Sequence, residues 1–195
     1  MFINLKLREI SLKIVYYGPA LSGKTTNLER IHLKIRPELR GELISLKTRE
    51  DRTIFFDFLQ LEVGEIKGLK PKFNLYTVPG QAIYASSRKL VLQGVDGIVF
   101  VASSQWSQLQ ENVNSMACLR EHLHQLGINA ASIPLVIQYN KRDLPGCLPI
   151  PVLDKNLCYN GVPRIEAVAT QGIGVIDTLK KIIDSTMNKV RRDIC

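Results

Sequence analysis

The chain has 195 residues, 45% hydrophobic and 23% charged, which fits one globular domain across residues 1–195 with a sizeable core of its own. Net charge is +8, from 26 basic against 18 acidic residues, and this admits a polyanion or an anionic membrane surface as partner. The basic residues are spread along the chain, with the densest tail cluster at Lys189, Arg191 and Arg192, so a solvated surface is expected and a nucleic-acid partner is not.

In chain order, Leu12 to Tyr17 is a β-rich apolar run that stops at Gly18-Pro19. Lys24 to Ile35 has helical spacing, with Leu28, Ile31 and Ile35 on one face, and Pro37 ends it. Val63 to Gly68 reads as a hairpin turn, which predicts one antiparallel strand pair ahead of the alternating strand Phe73 to Val78. Gly97 to Ala102 is continuously apolar, as a strand buried on both faces should be. Leu109 to Leu126 reads as a long amphipathic helix closed by Gly127. Strands at 133–139 and 165–169 and a helix over 175–190 follow. This alternation predicts an α/β fold: a mainly parallel central sheet with one antiparallel strand pair and helices on both faces. Ligands of such sheets bind beyond the carboxyl ends of the strands.

Gly18-Pro19-Ala20-Leu21-Ser22-Gly23-Lys24-Thr25 matches G-x-x-x-x-G-K-[ST], between the strand and the helix that this pattern requires. Such a loop turns backbone N–H groups toward a phosphate chain, and the helix N-terminus adds its dipole. The phosphate-binding residues are predicted as Gly18, Ala20, Leu21, Ser22, Gly23, Lys24, Thr25 and Thr26, with Lys24 at the β- and γ-phosphates and Thr25 as a ligand of Mg²⁺. Kinases and ATPases share this loop. Guanine is selected by Asn140-Lys141-Arg142-Asp143 at a strand end. The Asp143 carboxylate accepts from guanine N1–H and its exocyclic amine, a donor pair that adenine lacks. Lys141 is expected along the base plane, Asn140 as a tie to the phosphate loop, and Val168, Ala169 and Thr170 near the base, with the Ala169 N–H donating to guanine O6.

These residues resemble the Ras-like superfamily of P-loop NTPases (small G domains), and most closely the MglA-type bacterial cell-polarity GTPases, over nearly the whole chain. The likeness rests on Lys13 to Pro19 leading into the phosphate loop, Arg52 to Phe58, Tyr76 to Gln81, Gly94 to Val101, and Asn140 to Pro145. Thr77-Val78-Pro79-Gly80-Gln81 is the most specific string, because most Ras-like relatives carry Asp at the position of Thr77. The resemblance implies a switch between GTP and GDP forms, Mg²⁺ as cofactor, a roadblock-domain activator of the MglB type, and a role in polarity or motility.

For hydrolysis, Gln81 is expected to orient the attacking water and Gly80 to offer its N–H to the γ-phosphate. Thr53 is the candidate switch threonine at Mg²⁺ or the γ-phosphate, and the resemblance supports Arg52 as an arginine acting from within the chain. Thr77 stands where an acidic residue usually helps hold Mg²⁺, and Asp57 is expected to compensate. Ala20 occupies a position that is usually glycine, so slow intrinsic turnover is predicted, with a GTP-locked scaffold as the alternative.

Other residues are expected to be structural. His122 and His124, two apart on a helix, should face different ways and be solvated, and Trp106 should pack. Phe55, Phe56 and Phe58 should be mainly core. Cys118, Cys147, Cys158 and Cys195 form no C-x-x-C pair, and Cys195 does not sit in a prenylation box, so free thiols are expected. No apolar stretch approaches a membrane span, no signal-peptide layout is present, and Phe2 stands where myristoylation needs glycine. A cytoplasmic protein is expected, with peripheral membrane association left open.

Overall fold

The computed structural model describes residues 1–47, 53–65, 67–80, 85–157 and 161–193. Arg52, Gln81, Cys158 and Cys195 therefore lie outside the described residues, and Thr53 is described through its backbone alone. The elements in order are β1 (Phe2–Asn4), β2 (Glu9–Tyr17), α1 (Lys24–Lys34), β3 (Ile44–Lys47), β4 (Thr53–Glu62), β5 (Lys70–Thr77) and α2 (Ala85–Leu92). They continue with β6 (Gly97–Ser103), α3 (Leu109–Gln125), β7 (Leu135–Asn140), α4 (Ile150–Leu157), β8 (Arg164–Glu166) and α5 (Val175–Asp193).

One sheet runs in the order β3-β4-β5-β2-β6-β7-β8, with β1 paired to the start of β2. Strands β5, β2, β6, β7 and β8 are mutually parallel. The expected hairpin joins β4 to β5 antiparallel, and β3 and β1 add further antiparallel pairings. Successive β2 side chains alternate between the two sides of the sheet. Ile10, Leu12, Ile14 and Tyr16 join the core under α1 and α5, while Val15 and Tyr17 join the core under α2, α3 and α4. β6 is buried along its whole length, since helices cover both its faces. Each fully buried aliphatic side chain of these cores contributes about 1.5–3 kcal/mol relative to exposure.

Three sequence expectations change. The strand expected at 165–169 is only Arg164–Glu166, and Ala169–Gln171 forms a 3₁₀ turn closed by Gly172 in the left-handed region. His122 is buried, not solvated, because its face of α3 packs over the end of β2, where its Nδ1 meets the Tyr17 hydroxyl at 3.3 Å. His124 is exposed as expected. Trp106 is 57% exposed and does not pack into a core. The elements β1, β3, α2 and α4 are too short to announce themselves by periodicity.

Sheet order reverses at β2: the chain moves to β5 on one side and to β6 on the other. Loops leaving β2, β6 and β7 at their carboxyl ends therefore splay apart and leave a crevice between them.

Candidate nucleotide site

β2 ends at Tyr17, and the glycine-rich turn 18–23 delivers the chain to α1, whose first residue is Lys24. Lys24 is buried, and its Nζ donates to the carbonyls of Gly18 at 3.0 Å and Pro19 at 2.6 Å. Burial, reinforced by the nearby Arg88 cation and opposed by Asp57, lowers its pKa to about 7. Gly23 adopts φ 100°, and a Cβ there would stand 2.2 Å from Asn140 Nδ2, so only glycine lets the two loops close on each other.

Asn140, the last residue of β7, joins three segments. Its Nδ2 donates to the Ser22 carbonyl at 2.8 Å, and its Oδ1 accepts the Ala169 N–H at 2.9 Å. That N–H, which the sequence reading assigns to guanine O6, is thus engaged with Asn140. The next one along, the Thr170 N–H, has no acceptor among the described residues. Lys141 takes φ 66°, which turns the chain at the strand end, and its Nζ lies 3.5 Å from Gln105 Oε1. Arg142 points away from this turn and braces it, donating to Glu166 Oε2 at 2.9 Å and to the Leu148 carbonyl at 2.8 Å. Asp143 is exposed beside the crevice.

The crevice has a volume of about 380 Å³ and is lined by Ala20, Leu21, Gly23, Lys24, Thr25, Thr26, Val78, Gly80, Asn140, Lys141, Asp143, Ala169 and Thr170. All but Val78 are predicted site residues. Gly18, Ser22 and Val168 are buried and do not line it. The Ser22 hydroxyl is left without a hydrogen-bond partner among the described residues. Gly80 lies hard against the phosphate loop: a Cβ on it would fall 2.4 Å from Ala20 Cα.

A buried oxygen cluster sits beside Thr25. Asp57 of β4 lies just beyond the Phe58–Tyr76 pair of β4 and β5, and the Thr77 hydroxyl of β5 donates to its Oδ2 at 2.7 Å. Thr25 Oγ1 donates to the same oxygen at 2.5 Å, and Ser45 Oγ donates to Oδ1. Asp57 and Thr77 are both fully buried. A carboxylate from the neighbouring antiparallel strand thus stands against the Thr77 hydroxyl. Oxygen-only donors of this kind suit Mg²⁺. No group of three or more His, Cys, Asp or Glu side chains suited to a metal occurs among the described residues, so a cation here would depend on hydroxyl, carboxylate and ligand oxygens together.

Sequence reasoning missed two groups. Gln138, inside the apolar β7, exchanges hydrogen bonds with Asn27 of α1 (2.8 and 2.9 Å) and donates to Thr178 of α5 at 2.9 Å, locking the phosphate-loop helix to the strand that ends at Asn140. A polar residue amid Val136, Ile137 and Tyr139 was the available signal. Arg88 of α2 is buried with its guanidinium 5.9 Å from the Tyr17 ring centre, and its Nε has no partner among the described residues. Its surroundings in sequence, Ser86-Ser87-Arg88-Lys89, read as a solvated helix and gave no signal.

No protein-family model matches the chain. It is 51% identical over 191 residues, 98% of each chain, to the mutual gliding-motility protein MglA of Myxococcus xanthus. More distantly, it is 24% identical over 172 residues, 87% of this chain and 77% of the relative, to ADP-ribosylation factor-like protein 4D of Mus musculus. The Homo sapiens form of the latter is 23% identical over the same shares.

Proposed function

Because the chain belongs to the MglA-type small GTPases of the Ras-like superfamily, we propose that it is a molecular switch that binds GTP with Mg²⁺ and hydrolyses it slowly to GDP. One observation carries this reading: the phosphate-loop lysine and the Asn140 to Asp143 segment line one crevice, and Asn140 bonds to both loops that flank it. In that crevice Asp143 reads the guanine edge, Lys141 lies along the base, and the Thr170 N–H is the free donor nearest to Ala169 for O6. Backbone N–H groups of the 18–23 turn and Lys24 hold the phosphates, with Thr26 beside them.

Thr25 and Asp57 are suited to hold Mg²⁺, with Thr53 joining in the GTP form. The ion supplies neutralisation of phosphate charge when bound. Thr77 orients the Asp57 carboxylate through its hydroxyl. Gly80 offers its N–H to the γ-phosphate, Gln81 orients water, and Arg52 neutralises charge developing on the phosphate oxygens. Loss of the γ-phosphate releases the Thr53 and Gly80 segments, which is the shape change of the switch. A roadblock-domain protein of the MglB type is the proposed activator, and the proposed process is gliding motility, the role named for the relative, or cell polarity.

Asp57→Asn keeps the shape of the cluster and removes its charge. It should raise the Mg²⁺ concentration needed to retain fluorescent GDP by about 10–100-fold, the usual cost of losing a group that supports metal ligands. An unchanged Mg²⁺ requirement would remove Asp57 from the metal site.

Gly80 seats hard on the Ala20 backbone, and a methyl at that loop position is expected to crowd an arriving side chain, which is the basis for slow turnover. It also favours a second reading, a GTP-bound scaffold with negligible hydrolysis. Single-turnover hydrolysis with and without a roadblock partner decides between them. The switch reading expects stimulation that Arg52→Ala cuts by tenfold or more. If no partner stimulates the reaction, and loaded GTP is still intact after hours, the scaffold reading stands.

A further inference from the structure

At the end of the sheet opposite the crevice, the turn between β1 and β2 pushes a short apolar and basic segment into solvent. Leu5 is 79% exposed, Leu7 59% and, one strand back, Phe2 67%. Lys6 and Arg8 alternate with the leucines, and both are exposed. The turn is well defined: the Arg8 N–H donates to the Leu5 carbonyl at 3.3 Å, the Leu7 N–H donates to Asn4 Oδ1 at 3.1 Å, and Arg8 sits at φ 53°. The segment is therefore held outward by the fold and does not fray away from it.

Tertiary structure brings further cations to the same place. The Lys70 N–H donates to the Arg8 carbonyl at 2.8 Å, which sets the exposed β4–β5 turn with Lys67 and Lys70 beside the first one. The carboxylates of Glu9 and Glu62 at this end are taken up by Lys72, at 2.9 and 3.4 Å, and Glu65 is the exposed acidic group in the β4–β5 turn. Residues that look dispersed in sequence thus form a local surface where cations surround large apolar side chains. A nucleic acid would use the cations and leave the leucines idle. An anionic lipid surface uses both: head groups take the Lys and Arg charges, and the apolar tips enter the acyl boundary.

We propose that the turn carrying Leu5, Lys6, Leu7 and Arg8, with Lys67 and Lys70 beside it, docks the protein on an anionic lipid surface. β2 runs from this turn to the phosphate loop over nine residues, about 30 Å at 3.3 Å per residue. A protein seated this way keeps its nucleotide crevice turned away from the lipid, free for other proteins.

The test is co-sedimentation of the full chain with vesicles of equal parts phosphatidylglycerol and phosphatidylcholine, against phosphatidylcholine alone. At about 50 mM salt the protein should sediment with the anionic vesicles only, and about 500 mM salt should release it. Lys6→Glu with Arg8→Glu should weaken binding at least tenfold, since each cation near such a surface is worth about fivefold. Leu5→Ser with Leu7→Ser should weaken it to a similar degree while leaving all four charges of the patch in place. Melting curves check that both pairs stay folded, and the single changes Lys6→Gln and Leu5→Ser serve if a pair does not. The proposal is overturned by failure to bind anionic vesicles at low salt, or by binding that survives both pairs. Binding that ignores the leucines and is competed away by duplex DNA would likewise overturn it, by assigning the patch to a polyanion.

Discussion

Lys24→Met is expected to lower affinity for GDP and GTP by about 10²–10⁴-fold while leaving the protein without nucleotide at least as stable as before. The ammonium is the charge that two phosphate oxygens would share, and charge-assisted hydrogen bonds are worth about 1.5–3 kcal/mol each. Methionine keeps the length of the stem and fills the same volume. It also removes a buried cation whose pKa burial holds at about 7. The unfolded chain keeps this group near its ordinary value of 10.5, so the folded protein binds fewer protons between pH 7 and 10.5. The penalty for burying the charged lysine is therefore complete below pH 7 and fades as pH rises toward 10.5, which makes the protein without nucleotide gain stability over that range.

Nucleotide binding runs the other way. Phosphate oxygens favour charged Lys24 and raise its pKa, so binding takes up a proton wherever the lysine was neutral. Affinity should be level below pH 7 and fall by up to about tenfold per pH unit above it. Calorimetry in buffers of different ionisation enthalpy reads this directly: close to one proton taken up at pH 8.5 and almost none at pH 6. Equal affinities at the two values, with no proton uptake, would show that Lys24 is charged before the ligand arrives. Titration of the Lys24→Met variant separates this group from others, because its proton uptake should vanish.

The second large effect concerns the base. Asp143→Asn should weaken GDP binding by about 10²–10⁴-fold, because the carboxylate that accepts from two guanine donors becomes an amide offering one acceptor and an NH₂ group. That NH₂ group meets a donor on guanine but would meet an acceptor on xanthine, whose C2 bears a keto oxygen. Affinity for xanthosine diphosphate should accordingly rise as that for GDP falls. The lever is chemical rather than structural, since Asp143 is exposed and holds no part of the core. Calorimetry of both proteins with both nucleotides, and with ADP as control, checks it. A variant that keeps wild-type GDP affinity would move base recognition elsewhere in the crevice.

Much of the site can be read from local strings. A loop that presents backbone N–H groups is specified by a few adjacent residues, because small side chains and glycine conformations act within a single turn. Gly18 to Thr25 and Asn140 to Asp143 are such strings, and both border the crevice. The apolar runs of β2, β6 and β7 identified a parallel sheet because a strand buried on both faces is mostly apolar, and β6 is buried over its whole length. Groups that meet only through strand register or helix packing were harder to read. His122 was expected to be solvated because helical spacing states which residues share a face but not which face is covered. α3 turns it onto Tyr17. The Ala169 N–H was assigned to the base, yet the Asn140 side chain, 29 positions earlier, takes it.

By itself the sequence determined the α/β class, the phosphate-loop string, the Asn140 to Asp143 tetrapeptide at the crevice and membership of a GTPase family, since each is written in contiguous residues. Tertiary structure alone decided that Asp57 stands against Thr25 and Thr77, that Asn140 clasps two loops, and that Lys6, Arg8, Lys67 and Lys70 form one surface. Those arrangements depend on which strands are neighbours and in what register. Register follows from the burial of the whole core, to which residues far apart in the chain contribute at once.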